Sequence, residues 1–158
     1  MAETLFIKST DKKEKYSELF TQLEALLQNE SDIIANTATI AAAIKQTFDF
    51  LWVGFYFVKN NELVLGPFQG QIACTRIAYG RGVCGSAWKE QKTIIVPDVD
   101  KFPGHIACSS LSRSEIVVPI KNNNSNTITM VLDIDSETLN SFNEDDKLGL
   151  EKIIMLLA

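Results

Sequence analysis

What this sequence lacks narrows its class before any motif is read. It has no excess of basic charge: 15 Lys and Arg stand against 20 Asp and Glu, a formal net charge of −5. Nor is there a run of like charge long enough to form a polybasic arm, so nucleic acid and anionic membrane surfaces are not expected partners. No apolar stretch approaches the roughly 20 residues that span a bilayer, and residues 1–9 lack the basic segment and apolar run of a secretory signal. The expected location is the cytoplasm. Cysteine is scarce and odd in number, with Cys74, Cys84 and Cys108 alone, which argues against an extracellular disulfide framework and for a reducing compartment. Repeats, low-complexity segments and linkers are also absent. What is present is 46% hydrophobic residues in 158, enough for one core, so residues 1–158 are expected to form a single domain.

Along the chain, Tyr16, Leu19, Phe20, Leu23, Leu26 and Leu27 recur at helical steps and predict an amphipathic helix over 11–27. Ser31 or Asp32 is a candidate N-cap for a second, Ala-rich helix over 33–48. Residues 51–58 are aromatic and β-branched, Asn60-Asn61 supplies a turn, and 62–68 completes a hairpin. Five glycines then punctuate an irregular stretch, in which 83–90 can form one or two helical turns and 93–96 a strand closed by Pro97. Residues 98–112 read as a loop. Strands over 116–120 and 127–134 flank an Asn-rich turn at 122–126, and 143–157 forms a closing helix with an acidic first turn that suits its dipole. Helices at both ends with antiparallel hairpins between them predict an α+β domain: a central antiparallel sheet with helices packed on it and a loop layer enclosing the active site.

Several segments together resemble the free methionine-(R)-sulfoxide reductases, which are built on a GAF domain. They are Trp52-Val53-Gly54-Phe55-Tyr56, Gly66-Pro67-Phe68-Gln69-Gly70 before Ala73-Cys74, and Gly80-Arg81-Gly82-Val83-Cys84-Gly85. Pro97-Asp98-Val99, Phe102-Pro103-Gly104-His105-Ile106-Ala107-Cys108, Ser114-Glu115-Ile116-Val117-Val118-Pro119 and Leu132-Asp133-Ile134-Asp135-Ser136 continue the likeness. The resemblance covers residues 50 to the end. It implies a thiol-dependent reductase that passes through a cysteine sulfenic acid and an intramolecular disulfide, needs no bound cofactor, is recycled by thioredoxin, and forms a homodimer.

The residues fit that chemistry. Reducing a sulfoxide takes a soft nucleophile to attack sulfur, an acid to assist the oxygen, and a second thiol to condense with the sulfenic acid. Cys108 lies in a polar loop beside Ser109 and Ser110, three residues after His105, and is the expected nucleophile. Cys84, between Gly82 and Gly85, is the expected resolving thiol, with Cys74 as an alternative or relay. The resemblance carries most of that ordering, because spacing alone leaves the roles open.

Strand periodicity places Asp133 and Asp135 on one face, with Ile128, Met130, Leu132 and Ile134 on the other. Two close carboxylates raise each other's pKa, so one can stay protonated to donate to the sulfoxide oxygen while its neighbour holds an ammonium. Glu115, at the start of the adjacent strand, can complete the set. Without a ligand these acids would be an ordinary solvated face. Trp52 and Tyr56 share a strand face with Gly54 between them, leaving a gap flanked by two rings that suits a methyl-sulfur group and an ammonium. The simpler reading is two core aromatics, and Trp88 is assigned to packing.

Cys74, Cys84, His105 and Cys108 count as a Cys₃His zinc set, but structural sites usually open with ligands about two to four residues apart and this set does not. His105 instead caps a loop or tunes a thiol, and no metal is expected. Gly80, Gly82 and Gly85 lack the Gly-Lys-Ser/Thr ending of a phosphate loop. The rival function is a GAF-type module that senses a small ligand or cyclic nucleotide without catalysis.

Overall fold

The computed structural model describes residues 4–157. Helix α1 (Lys12–Leu27) starts where the Asp11 side chain accepts from the Glu14 N–H, and α2 (Ile33–Phe48) where Asp32, rather than Ser31, accepts from Ile34 and Ala35. Each carboxylate satisfies orphan donors of a helix start. Strands β1 (Trp52–Lys59) and β2 (Glu62–Gln69) form the expected hairpin. Asn60 and Asn61 both take positive φ, 51° and 62°, the geometry that lets a two-residue turn follow strand twist. A short β3 (Arg76–Ala78), α3 (Gly82–Glu90), β4 (Ile94–Val96), β5 (Ser114–Lys121), β6 (Ile128–Ser136) and α4 (Glu144–Ile154) follow. The predicted loop over 98–112 contains one 3₁₀ turn, Val99–Lys101.

All six strands pair antiparallel in the order β3-β2-β1-β6-β5-β4. The two faces do different work. One carries Val53, Phe55, Ile116, Val118, Leu132 and Ile134 into a core with Leu19 and Leu23 of α1, Ile40 and Ile44 of α2, and Leu150 and Ile153 of α4. The other carries Trp52, Tyr56, Val117 and Val131 against Val83, Cys84 and Ala87 of α3. Ile128 departs from the expected alternation and joins this second cluster. The reason is a register shift: one step along β5, from Ile120 to Lys121, matches two along β6, from Met130 to Ile128, and an extra residue re-aims the strand.

Helix α4 is locked to α1 by a buried carboxylate. Asp146 is fully buried and accepts from Lys12 Nζ at 2.7 Å, Tyr16 Oη at 2.9 Å and the Asn143 N–H at 2.8 Å. The last contact closes a capping box with Asn143. Three residues on, Gly149 allows the close approach, since a Cβ there would lie 2.3 Å from the Tyr16 ring. Removing one member of a buried, hydrogen-bonded charge pair leaves its partners unpaired. Asp146→Ala should therefore cost about 3 kcal/mol in urea unfolding, and a loss under about 0.5 kcal/mol, the range of an ordinary surface change, would refute the assignment.

Candidate active site

The second face of the sheet gathers the predicted acids. Asp135 of β6 sits between Trp52 of β1 and Glu115 of β5, and Asp133 sits between Gly54 and Val117 on the rung two residues away. Side chains two residues apart point the same way, so the three carboxylates share one face, as periodicity predicts for Asp133 and Asp135. They are not a solvated face: Glu115 and Asp133 are 5% and 7% exposed, and Asp135 is only half-buried.

Burial and crowding set their protonation. Desolvation raises the pKa of Glu115, and the Asp135 charge adds to it. Asp133 is raised by desolvation and then by the charges of Glu115 and Asp135. Glu115 and Asp133 interact directly, so each resists ionising while the other is charged and the two can share a proton. Asp135 is pushed up to about 6 by burial, while the Ser112 hydroxyl and the His105 charge pull it back. Ser112 Oγ donates directly to Asp135 Oδ1. His105 Nε2 lies 3.6 Å from Glu115 Oε2, so it faces the acid pocket instead of merely capping its loop. The arrangement thus places two acids that resist ionisation beside a carboxyl that ionises near neutrality.

The aromatic wall is built differently from the expected gap. No gap stands over Gly54, because the Trp52 indole lies across it: a Cβ at Gly54 would be 2.3 Å from Trp52 Cη2. Gly70, at φ +138°, is pressed from the other side, and its Cβ would meet Trp52 Cδ1 at 2.5 Å. The indole stacks on Phe68 at 5.4 Å and Tyr56 at 6.0 Å. Its Nε1 donates to the Gln71 carbonyl at 3.0 Å, and Tyr56 Oη donates to the Cys74 carbonyl at 2.9 Å. Both aromatics therefore tether the 70–75 loop as well as lining the pocket. Trp88 packs edge-on against Tyr79, as assigned.

The thiols are arranged otherwise than Cys84 pairing with Cys108 would require. Cys74 is bonded to Cys108, with an S–S distance of 2.06 Å and Cα atoms 5.5 Å apart. The bridge joins the 70–75 loop to the 102–112 loop beside the pocket, which Cys108 lines. Cys84 is a free thiol on the inner side of α3, 3% exposed. Burial raises its pKa first, and the charges of Asp133 and Glu115 raise it further. A helix that presents Val83, Cys84 and Ala87 to the sheet buries this thiol against the acids. The disulfide also takes two ligands from the Cys₃His zinc set. Sequence reasoning missed Ser112 and Gln71; a serine and a carbonyl in irregular loops carry no pattern that marks them.

Among the described residues no helix is long and apolar enough to cross a membrane. The GAF domain family matches residues 32–158. GAF domain-containing protein A of Dictyostelium discoideum is 58% identical over 99% of this chain and 99% of its own. The free methionine-R-sulfoxide reductase of Escherichia coli is 42% identical, covering 93% of this chain and 88% of its own. The crystal structure of the Neisseria meningitidis free methionine-R-sulfoxide reductase in complex with its substrate superposes with a TM-score of 0.94 at 49% identity, covering 98% and 92% of the two chains. Overall form and sequence agree along nearly the whole chain, and the chain belongs to the GAF-domain family of free methionine-R-sulfoxide reductases.

Proposed function

We propose that this protein reduces the (R)-sulfoxide of free methionine to methionine. The observation that carries the reading is the disulfide between Cys74 and Cys108 at the edge of a pocket whose other side holds three crowded carboxylates. In the reduced enzyme the Cys108 thiolate attacks the sulfoxide sulfur while Asp133, neutral in the acid pair, protonates the oxygen. Oxygen passes to Cys108 as a sulfenic acid and methionine leaves. The Cys74 thiol then attacks that sulfenic sulfur, forming the disulfide and releasing water. An external dithiol of the thioredoxin class takes the disulfide back to two thiols and is itself oxidised. No bound cofactor enters these steps. In this scheme Cys74, rather than Cys84, resolves, and Cys84 supports Asp133 from beneath. The reading also carries a homodimer and a reducing, cytoplasmic setting in which the thiols are regenerated.

Asp135 binds the substrate ammonium, with Glu115 adding negative charge, and Trp52 takes the methyl group. A peptide nitrogen brings no positive charge to the cluster, and burying carboxylates without a partner is costly. The (S) epimer exchanges methyl and oxygen, setting a polar atom against the indole. The rival reading, a GAF module that senses a small ligand without catalysis, provides no use for a redox-paired Cys74 and Cys108 beside the pocket.

Three outcomes test this. In single-turnover assays Cys108→Ser should release no methionine, whereas Cys74→Ser should release one equivalent and then stall, because only the attacking sulfur is needed for the first step; a full burst from Cys108→Ser would reverse the roles. Cys84→Ser should still form the Cys74–Cys108 disulfide, read by peptide mass.

Affinity for the free sulfoxide should rise as pH climbs through about 6, where Asp135 ionises, while the ammonium stays charged. The ligand-free fold behaves oppositely: because the Asp135 pKa is raised on folding, its contribution to stability is full below about pH 4 and is lost as pH rises through the folded value. Asp135→Asn should flatten both profiles and, where general acid catalysis is retained, act mainly on KM. Unchanged pH profiles in Asp135→Asn would remove it from ammonium binding.

Finally, a coupled thioredoxin and NADPH assay should show turnover on free methionine-(R)-sulfoxide and little on its N-acetyl derivative or the (S) epimer, with discrimination reaching roughly 10⁴ where a buried hydrogen bond decides. Comparable rates on the N-acetyl compound would refute the charge argument.

A further inference from the structure

With no substrate bound, the same side chains form a second arrangement. Cys84 Sγ and one carboxylate oxygen each from Glu115 and Asp133 lie within 4.8 Å of one another, and all three residues are buried. Asp133 Oδ1 is buried at the pocket with no hydrogen-bond partner. An orphaned acceptor of this kind is uncommon and calls for an occupant. The set is thus one sulfur and two oxygens close enough to share a centre, with His105 outside it, 3.6 Å from Glu115 Oε2.

From this juxtaposition we infer that the pocket binds a soft divalent cation of the Zn²⁺ class through Cys84, Glu115 and Asp133, with the fourth position left to water. Thiolate and carboxylate suit zinc, and three protein ligands leave one position of its tetrahedral set open. The charge balance favours it as well. Three crowded carboxylates outnumber the cationic side chains that line the cavity, Arg81 and, when protonated, His105. Coordination replaces the Cys84 thiol proton, which leaves to solvent, and gives Asp133 Oδ1 the partner it lacks. The site differs from the Cys₃His set weighed on sequence, since it draws on neither Cys74 nor Cys108 and so exists in the disulfide form. It is not a catalytic metal: the cation occupies the position assigned above to the sulfoxide and its ammonium. The consequence, which rests on that assignment, is competition, with zinc holding the enzyme out of its cycle.

The test uses the full chain with its disulfide formed, so that Cys84 is the only free thiol, and Co²⁺ as the probe. Titration should raise a thiolate-to-cobalt charge-transfer band that saturates at one equivalent, and Zn²⁺ should abolish it. The band should vanish in Cys84→Ser with circular dichroism unchanged. Asp133→Asn keeps the thiol and should weaken cobalt binding by at least the roughly tenfold that loss of even an outer partner costs a metal site. No band at millimolar cobalt, a band that survives Cys84→Ser, or undiminished affinity in Asp133→Asn would each overturn the site. Displacement of cobalt by free methionine sulfoxide supports the shared position. Cobalt that binds as described but resists displacement upholds the metal site and counts instead against the placement of the substrate.

Discussion

Three carboxylates on adjacent rungs of one sheet face are the constraint around which the rest is arranged. Glu115, Asp135 and Trp52 occupy one line across β5, β6 and β1, and Asp133 the next. Left charged and dry, each acid would cost several kcal/mol. The neighbourhood meets that cost with protons and dipoles: a proton shared between Asp133 and Glu115, the Ser112 hydroxyl on Asp135, the Cys84 thiol beneath Asp133, and His105 beside Glu115. Arg81 is the one fixed cation among the described residues that line the pocket, so the acids outnumber it. Chemistry and recognition here come from the same electrostatic imbalance.

The sheet separates that imbalance from the machinery of stability. On the helical face, alternate residues such as Val53, Phe55, Leu132 and Ile134 are fully buried with α1, α2 and α4. Residues one step out of phase face the pocket. A single period-2 pattern thus serves both purposes, and a one-residue slip of β6 would exchange Asp133 and Asp135 for Leu132 and Ile134. The extra residue near Ile128 falls at the far end of the strand, toward the Asn-rich turn, where the alternation no longer has to position an acid.

Helical and strand periodicity made most of this fold legible in the sequence, because amphipathic helices and half-buried strands write their burial into residue order. The shared face of Asp133 and Asp135 was legible for the same reason. Strand β3 was not: three residues, Arg76–Ala78, are too short to show a period. Thiol pairing escaped for another reason. Cys84, the expected resolver between two glycines, lies on a helix whose inner side faces the sheet, whereas Cys74, the alternative, is brought to Cys108 by loops that Trp52 and Tyr56 hold through backbone carbonyls. Contacts to Gln71 and Cys74 carbonyls depend on where the backbone passes, not on which side chain it carries. The same is true of Gly54, whose role is to make room for an indole from its own strand.

The indole of Trp52 bridges the substrate wall and the redox loop, since its N–H is bonded to Gln71, three residues before Cys74. The protein has only one other tryptophan, Trp88, on α3. A molecule so furnished would carry its own optical reporter: opening the Cys74–Cys108 bridge would loosen the segment that fixes the Trp52 environment, and the proposed redox cycle should then be readable in intrinsic fluorescence, with no label and no coupled enzyme between the thiols and the observer.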